Sequence, residues 1–192
     1  MNGQSFSLVP HQPCSTSLLI TGNLALGGGV MELEMQLQGD LDAIRIAPTA
    51  DPAERRDLLW QTTCLEVFLA RQEAEPYWEF NLSPSGHWNV YRLEGYRQGL
   101  TPEPAYAQLP FSLQRHHQLP GMNQPILNQL NLKLRCPLPP ALAAPSPAQL
   151  EAAITAVVQL GDDSFSYWAL HHPAAAADFH HRGGFRRWPT QA

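Results

Sequence analysis

The chain has 192 residues, 44% of them hydrophobic and 15% charged, with a formal net charge of −5. Such a length and composition bury a core without disulfide staples and exclude a disordered tail, so one domain over 1–192 is expected. The acidic balance argues against a nucleic-acid partner, which normally meets a basic stripe.

The opening residues, MNGQSFSLVPHQP, show neither the basic nor the apolar region of a signal peptide, and no later window has the apolar length of a bilayer span. A cytoplasmic location and no membrane partner are the expectation. Eighteen prolines and thirteen glycines divide the chain into short pieces, which favours strands and turns over long helices.

SLLITGNLAL reads as a strand, and Gly27-Gly28-Gly29 as a hairpin turn rather than a phosphate cradle, since no helix start with Lys-Ser or Lys-Thr follows. Met31, Leu33, Met35 and Leu37 then alternate with Glu32, Glu34, Gln36 and Gln38, the clearest half-buried strand in the sequence. LDAIRI reads as a further short strand, and residues 47–59 as a polar connection with room for one helical turn. CLEVFLA, YWEFNLS and HWNVYRL form a three-strand meander.

Residues 94–110 read as a long irregular loop, and FSLQRHH as strand. ILNQLNLKLRC alternates with Ile126, Asn128, Leu130, Leu132, Leu134 and Cys136 on one side. Cys14, Cys64 and Cys136 are distant and odd in number, which suggests neither a disulfide framework nor a paired-cysteine metal site. PLPPALAAPSPAQ reads as a surface loop. EAAITAVVQL and SFSYWALHH, joined through Gly161-Asp162-Asp163, make a closing hairpin. Arg182, Arg186 and Arg187 beside Trp188 form a short basic run, read as a solvated tail in preference to a contact patch. The sum is an all-β, antiparallel sandwich of about nine to ten strands.

Strand parity sorts the side chains. Leu65, Val67 and Leu69 share one face opposite Cys64, Glu66 and Phe68; Trp78, Phe80 and Leu82 lie opposite Tyr77, Glu79, Asn81 and Ser83. With Pro84-Ser85-Gly86 as a three-residue hairpin loop, Ser83 faces His87, Asn81 faces Asn89 and Glu79 faces Tyr91. A two-residue loop would pair Glu79 with Arg92 and mix the faces. The first register gathers Glu66, Glu79, Asn81, Asn89 and Tyr91 on one polar wall, with donors and acceptors suited to a polyhydroxylated ligand. Trp60 supplies a flat apolar surface beside it.

LWQTTCLEVFLA and YWEFNLSPSG, within residues 60–93, resemble the DOMON-like superfamily, including the ninth family of carbohydrate-binding modules. The closing YWALHHP and DFHHRGGF look like a bacterial DOMON-like subgroup. The resemblance implies a β-sandwich that carries its ligand on one sheet. By position, Trp60 resembles the first clamp tryptophan of the sugar-binding modules, Glu66 their ligand-binding glutamate and Asn81 their amide on the next strand. Glu79 departs, because those modules often have a basic residue there; Trp168 is a candidate second clamp. Other superfamily members hold haem through Met and His, but Met31 and Met35 alternate with leucines and read as core, so no cofactor is expected.

The expected function is non-catalytic binding of a small polar ligand, a saccharide or glycoconjugate, by Trp60, Glu66, Glu79, Asn81, Asn89, Tyr91 and, as a lid, His180. Two alternatives come from other classes. Glu66 and Glu79 also fit a carboxylate-paired hydrolase, and His171, His172, Asp178, His180 and His181 have the residue types of a metal-dependent one. Neighbouring histidines on a strand point oppositely, however, so at most one of each pair converges. An intracellular protein-interaction module is the third reading.

Overall fold

The computed structural model describes residues 3–116, 128–143 and 149–188. Thirteen strands among these residues form two antiparallel sheets. In chain order they are β1 (Gln4–Ser7), β2 (Val9–Pro10), β3 (Leu18–Gly27), β4 (Val30–Gly39), β5 (Cys64–Arg71), β6 (Tyr77–Leu82) and β7 (Trp88–Leu93). Then follow β8 (Thr101–Pro102), β9 (Phe111–His116), β10 (Asn128–Pro137), β11 (Leu150–Gln159), β12 (Phe165–Ala169) and β13 (Arg186–Trp188). The smaller sheet runs β1-β3-β4-β10-β9. The larger runs β2-β12-β11-β5-β6-β7-β8, with β13 also paired to β11.

Alternation builds the core. Met31, Leu33, Met35 and Leu37 of β4 are sealed between the sheets, as are Leu65, Val67 and Leu69 of β5 and Trp78, Phe80 and Leu82 of β6. Both methionines therefore pack as ordinary apolar side chains. Trp78 is tolerated there because its indole Nε1 donates to Glu103 Oε2 at 2.7 Å. The β3–β4 hairpin closes with Gly27 opposite Val30. Gly28 and Gly29 occupy the turn at φ 57° and 74°, a region where a side chain is strained. The β6–β7 hairpin takes the three-residue loop, with Glu79 opposite Tyr91 and Asn81 opposite Asn89. Ser83 N–H donates to His87 O, and Gly86 N–H donates back to Ser83 O.

Several expectations are corrected. LDAIRI is not a strand: Leu41–Ala43 is a 3-10 turn, and Ile44 makes an isolated bridge to Leu160. Leu41 and Ile44, both buried, are three residues apart, the spacing of that turn rather than of a strand. Four short strands, β1, β2, β8 and β13, go beyond the nine or ten expected. The basic run is no loose tail, because β13 pairs with β11 and buries Trp188, whose indole donates to Leu24 O of the opposite sheet at 2.9 Å. Arg182 is held by Glu151 at 2.6 Å. PLPPALAAPSPAQ holds one short helix, Pro140–Ala143, in its described part. His117, Ile126 and residues 144–148 lie outside the described residues. No helix among the described residues is long and apolar enough to cross a membrane.

A second apolar cluster lies on the outer face of the larger sheet: Phe68, Ala70, Tyr77, Tyr91, Leu93, Ala153 and Phe185, with Trp60 and Phe179 packed against it. It exists because the chain after β12 crosses back over β5 and β6, and its covering creates the site described next. Phe80, fully buried between the sheets and edge-on to Tyr106, tests the core: Phe80→Ala should lower the unfolding free energy by about 3–5 kcal/mol in a denaturant titration. A loss below about 1 kcal/mol would mean that the sheets do not enclose it.

Candidate functional site

The outer face of the larger sheet carries two cross-strand rows. Thr155, Glu66, Asn81 and Asn89 lie side by side across β11, β5, β6 and β7, and Ala153, Phe68, Glu79 and Tyr91 form the adjacent row. Loops then divide this face in two.

Over β7 the segment 53–59 closes it. Arg55 donates to Asn89 Oδ1 at 3.1 Å, to Glu103 O at 3.0 Å and to Tyr106 O, and its guanidinium stacks 4.7 Å from the Trp88 ring centre. Asp57 accepts from Tyr91 Oη at 2.6 Å and Asn89 Nδ2 at 3.0 Å. Asn89 and Tyr91 are thus fully engaged and serve to fasten this segment. Asn81 is also fully buried, its Nδ2 donating to Glu79 Oε1 at 2.8 Å and its Oδ1 facing the Cys64 thiol.

Over β5, β6, β11 and β12 the cover is incomplete. A pocket of about 320 Å³ remains, with Glu66 and Glu79 among its lining. Trp60, Phe68, Tyr167 and Phe179 supply aromatic surface, and Arg97 and His180 supply polar groups. Trp60 is held edge-on to Tyr91, and Tyr167 edge-on to Phe179. Of the seven side chains expected at the site, Trp60, Glu66, Glu79 and His180 line one cavity. Asn81 sits behind Glu79, and Asn89 and Tyr91 lie beneath the Arg55 segment.

Trp168 does not serve as a second clamp. It points into the core with its Nε1 unpartnered, while Tyr167, of opposite parity on β12, lines the pocket. Tyr167, Phe179 and Arg97 were not anticipated. For Tyr167 a signal existed: Phe165 and Tyr167 share the β12 face opposite Ser166 and Trp168, and both stay exposed.

Electrostatics follow from burial. Glu66 is pushed well above the usual carboxylate range, first by desolvation and then by the nearby Glu79 charge, against a 3.0 Å hydrogen bond from Thr155 Oγ1. Desolvation pushes Glu79 up to about 7, while Asn81 and Arg97 pull the other way. The pair therefore keeps a proton near neutrality. His180 falls to about 4, through burial and the Arg97 charge. Tyr77 Oη, 2.8 Å from His180 Nδ1, already accepts from Arg97 N–H. Burial therefore leaves His180 neutral near neutrality, hydrogen-bonded through Nδ1 to that hydroxyl.

The rim is locked by Asp178, which takes Arg97 Nη2 at 2.9 Å on one oxygen and Tyr96 Oη at 2.6 Å on the other. The remaining histidines go elsewhere. His172 Nε2 meets Val9 O and its ring stacks edge-on with His11, while His181 Nδ1 accepts from Gly183 N–H. Among the described residues no three His, Cys, Asp or Glu side chains are grouped to hold a metal, so the proposed metal-dependent arrangement does not assemble there. The three cysteines are free thiols.

No family model and no curated protein matches the chain. A solved structure does: that of a "putative carbohydrate-binding protein" from Bacteroides uniformis, with a TM-score of 0.61 and 13% identity, over 95% of this chain and 84% of that one. At that identity the likeness establishes the fold.

The raised carboxyls carry a consequence for stability. Groups whose folded pKa lies above the unfolded value favour the folded state below the ordinary carboxylate range and lose that contribution as pH rises through the folded value. The unfolding free energy of the wild type, relative to Glu66→Gln/Glu79→Gln, should fall as pH rises from about 4.5 through about 7. A difference that stays flat over that window would contradict the buried, protonated pair.

Proposed function

We propose that the pocket binds a saccharide and holds it without transforming it. The observation that carries this reading is the pairing, in one cavity, of a carboxyl floor with aromatic walls. A sugar ring has an apolar face of C–H groups and a rim of hydroxyls. It matches a site that offers indole and phenol surfaces together with directed acceptors. Glu66 and Glu79 accept from ligand hydroxyls, His180 offers its imidazole for a further hydrogen bond, and Trp60 packs against the ring. Asn81 acts through Glu79, whose Oε1 it holds.

Two further considerations support the reading. The stretch 60–93 resembles the sugar-binding modules of the DOMON-like superfamily at Trp60, Glu66 and Asn81. The fold is also shared with the Bacteroides uniformis "putative carbohydrate-binding protein". One observation favours a carboxylate-paired hydrolase: Glu66, held protonated beside Glu79, has the form of a general acid.

The test is a glycan array followed by calorimetry on the hits. Trp60→Ala and Glu66→Gln should each weaken the best hit by about tenfold or more, a loss of about 1.4 kcal/mol, without changing the melting midpoint by more than a few degrees. Flat responses to every saccharide would refute the binding reading. Turnover of a panel of 4-nitrophenyl glycosides, lost in Glu66→Gln, would transfer the site to the hydrolase reading.

A further inference from the structure

The two carboxyls define the ligand more narrowly than hydroxyl recognition requires. Among the described residues, Glu66 accepts a side-chain hydrogen bond from Thr155 and Glu79 one from Asn81, and neither joins an ion pair. Each carboxyl keeps a second oxygen without a protein donor. Those oxygens are open to the cavity, because the sole fully enclosed, unpartnered side-chain polar atom among the described residues is Trp168 Nε1, in the core.

The cation nearest to hand is committed elsewhere. Arg97 lines the pocket, but its guanidinium is paired with Asp178, and Tyr96 completes that clamp. A pocket floor with two acids thus has no side-chain cation seated on it. A hydroxyl satisfies an acceptor, yet only a positive charge allows both acids to ionise in so desolvated a place. The walls agree. Trp60, Phe68, Tyr167 and Phe179 present ring surface to the cavity, and aromatic faces attract cations.

We propose that the ligand carries a protonated amine, and that the saccharide class taken by this pocket is an amino sugar. The ammonium sits over Glu66 and Glu79, with the sugar ring against Trp60. This rests on the saccharide reading and sharpens it.

Binding an ammonium ionises the pair, so a proton passes from the carboxyls to solvent as the complex forms. The titratable groups around the two acids are Glu66 and Cys64 on β5, Glu79 and Tyr77 on β6, Tyr91 on β7, Tyr167 on β12, Arg97 in the 94–100 loop, and Asp178 and His180 beyond β12. Of these, Glu79 changes charge at about 7 and Glu66 is held well above the usual carboxylate range, while His180 is already neutral there. Affinity should therefore rise with pH through about 7 and decline once the amine loses its own proton.

The experiment is calorimetry with D-glucosamine, D-galactosamine and D-mannosamine, each beside its parent hexose and its N-acetyl derivative, in buffers of different ionisation enthalpy. At least one hexosamine should bind about tenfold or more tighter than its hexose and its N-acetyl form. It should release protons on binding, and Glu79→Gln should erase the preference. Proton release is read on the wild type and so does not depend on the variant folding. A hexose that binds as tightly as its hexosamine would overturn the amine while leaving the saccharide reading intact. Binding of none of the nine, with no array hit, would overturn both.

Discussion

Two carboxyl groups placed on neighbouring strands of one sheet, and withdrawn almost entirely from water, are the constraint around which this molecule is organised. Desolvation of a carboxylate costs several kcal/mol unless it stays protonated or gains a partner. Glu66 and Glu79 receive one side-chain hydrogen bond each and, with no ion-pair partner among the described residues, are held above the usual carboxylate range. A fold selected for stability alone would gain from apolar residues there. These two acids instead face a cavity with aromatic walls, the feature on which the proposed ligand site rests.

The same sheet face is used in two ways, and the loops decide which. Above β7, Arg55 and Asp57 convert Asn89 and Tyr91 into anchors, with every polar group answered within the protein. Above β5 and β6, the covering chain after β12 stops short and is fixed to the 94–100 loop through Asp178, Arg97 and Tyr96. Tyr77 and His180 join scaffold and cavity: their rings pack on Phe68, and a 2.8 Å hydrogen bond ties Tyr77 Oη to His180 Nδ1. Polar groups answered within the protein and polar groups facing the cavity therefore adjoin on one sheet face.

Much of this was legible in local pattern. Alternation in β4, β5 and β6 fixed which side chains face the core, because a one-residue slip would turn every leucine outward. Pro84-Ser85-Gly86 set the hairpin register that aligns Glu79 with Tyr91. What parity could not convey is which part of the outward face becomes covered. That depends on Arg55 reaching across some thirty positions of sequence to Asn89, and on residues 177–180 returning over β5, contacts with no periodic trace. Trp168 shows the converse error: an indole near the end of the chain resembled a clamp by residue type, while its parity, shared with Ser166, placed it inside. Arg97 and Phe179 lie in irregular segments whose positions follow from tertiary contacts alone.

The central claim, that Glu66 and Glu79 are buried, face a cavity and are held above the usual carboxylate range, is tested most directly by carbon-detected NMR of the glutamate carboxyl carbons. Assignment would come from Glu66→Gln and Glu79→Gln. Two resonances should titrate well above the ordinary carboxylate range, one of them with a midpoint near 7. If both groups instead titrate within that range, near about 4.3, the face is open to water and the account of the site is wrong.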